Sequence, residues 1–436
     1  MNPIQIALLG AGTVASGVVK VLERNREELR RRAGREIAVA AVAARNPDKA
    51  RAALGGALPI TSDFAGLATR PGIDIVVELI GGISPARELV LSAIAAGKHV
   101  VTANKALIAL HGNEIFAAAQ ARGVMVAFEA AVAGGIPIIK AVREGLAGNC
   151  IEWIAGIING TTNFILSEMR DKGLDFATAL AQAQALGYAE ADPTFDIEGI
   201  DAAHKAAILC AIAFGVPVQF DKAYVEGITA LQSTDIRYAE KLGYRIKLLG
   251  ITKRTEQGIE LRVHPTLIPA NRLIANVEGA MNAVVVQGDA VGPTLYYGKG
   301  AGSEPTASAV IADLVDVTRL HTADPEHRVP HLAFRPEAMH DIPILPMAQV
   351  VTAYYLRLRV ADQAGVLADL TRILADAGIS IDALMQREAG EGEGQTDVIM
   401  LTHDTTEARM DAAIAQMQAL PSVLAPIVRI RKEELR

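Results

Sequence analysis

The sequence predicts an α/β protein in three parts: a doubly wound parallel sheet, a strand-rich mixed α+β domain, and a small C-terminal βαββαβ unit. Three observations carry this. The first third alternates short apolar, strand-like runs with helical patterns, the order that builds a parallel sheet. Between residues 245 and 298, four segments alternate in polarity or are rich in β-branched and aromatic residues. Beyond a stretch rich in Pro and His, the tail orders its strands and helices as β, α, β, β, α, β.

Composition sets the outer bounds. A chain of 436 residues carries a prior of about three domains at roughly 150 residues each. Hydrophobic residues make up 51% and charged residues 21%, enough for a sizeable core and against wholesale disorder. The formal net charge of -7 argues against a nucleic-acid partner, which calls for a basic face. Two cysteines, Cys150 and Cys210, lie far apart, which fits a reducing compartment and no disulfide framework. No basic leader precedes the first strand pattern, and no apolar run reaches the roughly 18 residues of a membrane span. The expectation is a soluble, cytoplasmic protein.

The first strand, Ile4–Leu9, runs into Gly10-Ala11-Gly12-Thr13-Val14-Ala15, which opens a helix. This is the G-x-G-x-x-A turn of a Rossmann-like unit. Gly10 allows the tight turn, Gly12 lets a pyrophosphate approach the backbone, and Ala15 lets the helix pack on the strand. The phosphates of a dinucleotide, NAD or NADP, would sit on the helix N-terminus. The second strand, Ile37–Ala43, ends in Ala44-Arg45-Asn46-Pro47, with no carboxylate to hold a ribose 2′-hydroxyl. Arg45 either faces a 2′-phosphate, which favours NADP, or is a solvated loop charge.

The strand Asp74–Ile80 ends at Gly81-Gly82, and a helix from Pro85 to Ala96 follows. The next strand starts at His99 and breaks at Thr102-Ala103-Asn104-Lys105. Ligands of a doubly wound sheet lie at the carboxyl ends of its strands. Gly81, Thr102 and Lys105 fall there, and Lys105 either lines the cleft near the nicotinamide, as expected from its place, or is an exposed surface lysine. The strand from Val124 leads through Glu129 and Val132 to a glycine turn, Gly134-Gly135-Ile136-Pro137, and a helix from Ile138 to Leu146. After a strand over Ile151–Ile157, Asn159-Gly160-Thr161-Thr162-Asn163 is a polar turn ahead of a helix over Phe164–Lys172. Its amides and hydroxyls either cap that helix or touch ligand.

The densest chemistry lies between a helix over Phe176–Leu186 and the helix that starts at about Asp201. The stretch Gly187 to Lys205 holds five carboxylates and one lysine. Asp201 and Lys205 are four apart and share a helical face. On spacing alone they form an ion pair at an exposed first turn, with Asp201 favoured by the helix dipole. Glu190 and Asp196 close by point instead to a pocket for a small cationic polar ligand. The strands of the middle domain are followed by Lys299-Gly300-Ala301-Gly302-Ser303-Glu304, a glycine turn at the start of a helix to about Arg319. That turn suits an anion or a close approach of backbone to cofactor, or is an ordinary helix entry.

The tail begins with an alternating strand, Tyr354–Val360, and turns at Asp362-Gln363-Ala364-Gly365-Val366-Leu367 into a helix. Its βαββαβ order is that of a ferredoxin-like unit and predicts a separately folding domain. The expected boundaries are a dinucleotide-binding domain over 1–130, completed by the helix 303–320; a substrate-binding and dimerisation domain over 131–302; a linker over 321–350; and the tail over 351–436.

Taken together, the G-A-G-T-V, T-A-N-K-A, G-G-I-P and N-G-T-T-N runs, the stretch G-Y-A-E-A-D-P-T-F-D-I-E-G-I-D-A-A-H-K and the turn G-A-G-S-E-P-T-A-S-A-V resemble homoserine dehydrogenase across the whole chain. The tail resembles an ACT domain, whose D-x-x-G-V-L is matched by Asp362, Gly365, Val366 and Leu367. The order resembles that of the long monofunctional bacterial enzymes with no fused aspartate kinase. The resemblance implies NAD(P)-linked interconversion of L-homoserine and L-aspartate 4-semialdehyde in threonine, methionine and isoleucine biosynthesis. It implies Lys205 as the proton-transfer lysine, Lys105 as a second active-site lysine, and Glu190, Asp196 and Asp201 as carboxylates of the substrate site. It places Thr13, Val14, Lys105 and Gly302, with Glu304 in the same turn, against the dinucleotide. It places Glu129, Val132, Gly134 and Ile136 around a monovalent cation, Na+ or K+. Feedback by L-threonine through the ACT unit, and a homodimer or homotetramer, follow by the same resemblance.

Two other functions compete. Aspartate semialdehyde dehydrogenase chemistry needs a cysteine thioester, and neither Cys150 nor Cys210 has an obvious base. An inactive scaffold serving only as an amino-acid sensor would not need both lysines and both carboxylates.

Overall fold

The computed structural model describes residues 2–55, 58–386 and 394–435. Six strands form the first sheet: β1 (Ile4–Leu9), β2 (Ile37–Ala43), β3 (Ile60–Thr61), β4 (Ile75–Glu78), β5 (His99–Thr102) and β6 (Val126–Ala127). All pairings are parallel, in the order β3-β2-β1-β4-β5-β6. The strands that follow are β7 (Ile151–Ile157), β8 (Tyr224–Val225), β9 (Tyr244–Arg254), β10 (Ile259–Pro269), β11 (Met281–Gly288), β12 (Gly292–Lys299), β13 (Val351–Ala361), β14 (Ile381–Gln386), β15 (Gln395–Thr402), β16 (Thr405–Thr406) and β17 (Val428–Lys432). The principal helices are α1 (Thr13–Arg24), α2 (Lys105–Arg122), α3 (Gly160–Lys172), α4 (Ile200–Phe214), α5 (Ser303–Leu320), α6 (Val366–Asp376) and α7 (Glu407–Gln418).

The first sheet is the expected Rossmann-like unit. β1 pairs with β2 on one side and β4 on the other, so the strand order reverses beside β1, where such sheets bind ligands. The strand-to-helix turn requires glycine: Gly10 has φ +110°, and a Cβ there would lie 2.7 Å from the Leu79 carbonyl oxygen. A helix from far along the chain closes this layer. α5 packs on α1 so tightly that a Cβ on Gly17 would sit 2.4 Å from the Ser303 carbonyl oxygen.

The second sheet runs β12-β11-β7-β9-β10-β17-β13-β15-β14, with β8 beside β10 and β16 beside β13. Its spine is the long antiparallel hairpin β9–β10, on which α4 lies. The tail has its expected βαββαβ order and its own apolar core, from Tyr354 and Leu356 on β13 to Leu370 on α6 and Met410 on α7. It is not a separate body, however. β17 pairs in parallel with β10, Thr266 opposite Arg431 and Leu267 opposite Lys432, so one sheet runs from the middle domain through the tail. The side chain of Arg431 is buried at this seam, donating to Glu226 at 2.8 Å and to Glu407 at 2.9 Å.

Several elements differ from expectation for physical reasons. The helix expected from Phe164 begins at Gly160, because Asn159 caps it by accepting from the Thr162 N–H at 2.8 Å. The strand expected to break at Lys105 gives way there to α2, capped by Asn104. The segment Ser233–Lys241, with Asp235 in its first turn, is a further helix. The stretch 321–350 has little regular structure and lies along the body: Ile344 bridges to Ile259, and the Phe334 ring covers Gly215. Among the described residues no helix is long and apolar enough to cross a membrane.

Candidate active site

The site forms where the first sheet meets α4. Glu78, at the end of β4, is fully buried. Its carboxylate accepts from the N–H groups of Ile80 (2.7 Å) and Gly81 (3.2 Å) and from the Thr102 hydroxyl (2.6 Å). Asn104 donates to the Gly82 carbonyl at 2.6 Å and caps α2 by accepting from Leu107 at 3.1 Å. Two strand-end turns are thus tied together, and Lys105 emerges from them as the first residue of α2. An acid closing an apolar strand was the only sequence signal for Glu78.

Lys105 reaches Asp201, the two forming an ion pair at 2.6 Å. The other oxygen of Asp201 accepts from Lys205 at 2.7 Å, and Lys205 also donates to the Ile158 carbonyl at 2.6 Å. The exposed first-turn pair expected from spacing is therefore corrected: Asp201 is 2% and Lys205 8% exposed. α2 and β7 pack against α4 and cover its first turn. Asn159, at that end of β7, donates to both Asp196 (2.7 Å) and Asp201 (2.8 Å). Glu190 is exposed on the loop that precedes them.

Charge is distributed unequally over this cluster. Burial pushes the Lys205 amine below the ordinary lysine value and the Lys105 charge adds to that, while Asp201 opposes both. Burial acts on Lys105 too, but Asp201, with Asp196 and Glu190 beyond it, outweighs it and holds Lys105 above the ordinary value. Burial alone would raise Asp201; Lys205 and Lys105 reverse that and keep it well below the usual carboxylate range. Burial, then the Asp201 charge, raises Asp196. Beside them His204, edge-on to Phe195 and Phe220, is lowered by burial to about 4 and is neutral near pH 7. Phe195 also lies under Lys105, whose amine is 5.7 Å from the ring centre.

The glycine turn before α1 fits a dinucleotide. A Cβ on Gly12 would meet nothing within 4 Å, so the backbone there is open to a ligand. α1 has no side-chain cap and no acid in its first turn, which leaves its N-terminal N–H groups for phosphate. Thr13 is exposed, and Val14 is half-buried. Arg45 is exposed at the end of β2, and Gly81 is exposed with φ +79°. Gly302, at φ +127°, leads α5 toward the same turn, where the Ser303 hydroxyl donates to the Thr13 carbonyl at 2.7 Å. Glu304 is turned toward Arg24 at 2.9 Å, bracing α5 on α1.

The remaining sequence-derived residues fall into two turns. Ala133 and Gly134 are both left-handed, and Gly134 packs so close to Gly300 that a Cβ would meet its carbonyl oxygen at 2.3 Å. The Glu129 side chain serves this turn's frame: its carboxylate accepts from the Ile139 and Lys140 N–H groups at 2.9 and 2.8 Å. The Ile136 carbonyl accepts from Ile138 at 2.8 Å. Among the described residues no group of His, Cys, Asp and Glu side chains is arranged to hold a metal, so a cation here would depend on backbone oxygens. In the tail, Gly365 (φ +96°) caps α6, Val366 is buried, Leu367 packs partly against the tail core, and Asp362 is exposed.

A Rossmann-like cradle joined through Lys105 to a buried carboxylate–lysine pair defines a nicotinamide-dependent dehydrogenase. Family models agree with that class and narrow it. The homoserine dehydrogenase model matches residues 137–315, the homoserine dehydrogenase NAD-binding domain residues 10–129, and the ACT domain residues 354–422. The homoserine dehydrogenase of Pseudomonas aeruginosa is 63% identical over 435 residues, covering 100% of both chains. That of Neisseria gonorrhoeae is 56% identical, again with 100% of each covered. The crystal structure of a homoserine dehydrogenase from Thiobacillus denitrificans superposes with a TM-score of 0.96 at 69% identity, covering 100% of this chain and 99% of that one. The chain belongs to the homoserine dehydrogenase family of NAD(P)-dependent oxidoreductases and carries a C-terminal ACT domain.

Proposed function

We propose that Lys205 moves the proton when L-homoserine and L-aspartate 4-semialdehyde are interconverted, and that Lys105 and Asp201 set its charge and position. One observation carries this reading: the Lys205 amine is buried, 2.7 Å from Asp201 and 2.6 Å from the Ile158 carbonyl, with a second lysine on the far oxygen of Asp201. A lysine serves as general acid or base only when its pKa falls toward neutrality, and burial beside another ammonium favours that. Glu190, Asp196 and Asp201 form an acidic wall suited to the substrate's ammonium. The dinucleotide supplies the hydride acceptor or donor. Its phosphates lie on the turn of Gly10, Gly12, Thr13 and Val14; Gly81 and Lys105 face the nicotinamide side, and the Gly302–Glu304 turn closes over it. Thr102, expected beside the cofactor, is fully buried with its hydroxyl on Glu78 and braces the strand end from behind.

NADP is the preferred cofactor in this reading, supported by an exposed Arg45, and no acid, at the end of β2. The turn from Glu129 to Ile136 holds Na+ or K+ through backbone oxygens. The ACT turn at Asp362, Gly365, Val366 and Leu367 takes L-threonine and feeds back on an enzyme of threonine, methionine and isoleucine biosynthesis. The protein works as a cytoplasmic homodimer or homotetramer. The test is an absorbance assay at the reduced nicotinamide band with L-homoserine, run with NADP and NAD, with and without L-threonine. Turnover favouring NADP and slowed by threonine is expected. Equal use of both cofactors removes the role of Arg45, and indifference to threonine removes the feedback.

A further inference from the structure

Asn159 caps α3 and touches both carboxylates of the cluster, and its side-chain amide is fully used. Its oxygen accepts from the Thr162 N–H at 2.8 Å and the Thr162 hydroxyl at 3.0 Å. Its nitrogen donates to Asp196 at 2.7 Å and Asp201 at 2.8 Å. Only this orientation works. Turned over, the amide oxygen would face two carboxylates and its NH2 would face the backbone N–H of Thr162. The residue before it, Ile158, supplies the carbonyl that receives Lys205 at 2.6 Å. One dipeptide at the end of β7 therefore grips the carboxylate and the amine of the same pair.

The electrostatics explain why a neutral donor belongs here. Asp196 and Asp201 approach the same point, and two carboxylates left side by side would share a proton. Lys105 and Lys205 both serve Asp201, and neither donates to Asp196 among the bonds seen. The two hydrogens of one amide give each carboxylate a donor, beside the Thr161 hydroxyl on Asp196, without adding a positive charge that would compete with a substrate ammonium.

We infer that Asn159 is a positioning residue for the reaction: it holds Asp196 and Asp201 side by side and orients Asp201 between its two lysines. The inference rests on the proposed roles of Lys205 and Asp201. The test is Asn159→Asp, which is isosteric and keeps the capping oxygen but replaces the donor with a third carboxylate. The charged and titratable groups around it begin with Asp196 from the short helix Thr194–Ile197 and Asp201 from α4, which it bonds. Lys205 and Lys105 lie on Asp201, His204 is close to Asp201 on the same helix, and Glu190 acts on Lys105 from the preceding loop. Relative to wild type, kcat for homoserine is expected to fall about a hundredfold near pH 8, as misplacement at a reacting centre does. NADPH binding, read by fluorescence, should stay within about twofold, since the glycine turn before α1 is untouched. The deficit should shrink toward pH 5, because a protonated carboxyl donates again. A purely structural role is met by the retained cap and predicts wild-type kcat at every pH, which would overturn the inference.

Asn159→Ser guards against misfolding of the first variant. It keeps a capping hydroxyl too short to reach both carboxylates, and at least about a tenfold loss with no pH-dependent recovery is expected. Wild-type kcat in Asn159→Ser would also overturn the inference. The wild-type control separates the two levels: a folded wild type that fails to oxidise homoserine removes the underlying reading, whereas normal rates in wild type and both variants remove only the role of Asn159.

Discussion

Lys105 and Asp201 meet at 2.6 Å although one opens a helix of the first sheet and the other a helix laid on the second. This contact joins the Rossmann-like layer to the helix laid on the second sheet. It also places a second positive charge close to Lys205, and that has a measurable sign.

Lys105 lowers the Lys205 pKa, adding to burial and working against Asp201. Removing its charge in Lys105→Met should move the Lys205 pKa up. If Lys205 takes the proton as proposed, homoserine oxidation needs its neutral amine, and the rate rises with pH through that pKa. The midpoint of the rising limb is therefore expected at higher pH in the variant. Rate profiles over about pH 6 to 11, spanning the ordinary lysine range, check this; an unmoved or lowered midpoint would uncouple the two lysines.

Arg45 stands exposed where a ribose 2′-phosphate is read in such folds. Arg45→Ala should weaken NADPH more than NADH, by roughly tenfold for one charge-assisted contact. Fluorescence titration of both cofactors measures it. Equal losses would make Arg45 a solvated loop charge.

Arg431 is the buried bolt between tail and middle domain, paired with Glu407 and Glu226 and lying over the Tyr224 ring at 4.8 Å. Arg431→Met leaves carboxylates at the seam short of a partner, although Arg429 still reaches Glu407 at 3.0 Å. Breaking a buried ion pair from one side costs about 3 to 5 kcal/mol, and the retained Arg429 argues for the lower end. Thermal unfolding should shift to clearly lower temperature; an unchanged midpoint would show that the strand pairing alone holds the seam.

These contacts mark the boundary of what a sequence can show. The turn at Gly10, the ends of β4 and β5, and the order of the tail were readable because each depends on neighbours in the chain: a glycine that must be left-handed, an apolar run that must end, a turn motif. The shared face of Asp201 and Lys205 was readable for the same reason. What covers that face was not, since Lys105 and the Ile158 carbonyl arrive from distant segments. The pairing of β17 with β10 is likewise a tertiary event, and nothing local in Val428–Lys432 says which strand lies beside it. The start of α3 was hidden differently. Gly160 and two β-branched threonines are weak helix formers, and the Asn159 cap outweighs them.

Whether Lys205 handles the proton is decided by Lys205→Ala. Steady-state turnover with L-homoserine should be measured alongside NADPH binding by fluorescence. A fall in kcat of at least about a hundredfold with NADPH affinity retained is expected, the scale of general acid–base catalysis. A variant that binds NADPH and keeps more than roughly a tenth of the wild-type kcat would contradict it.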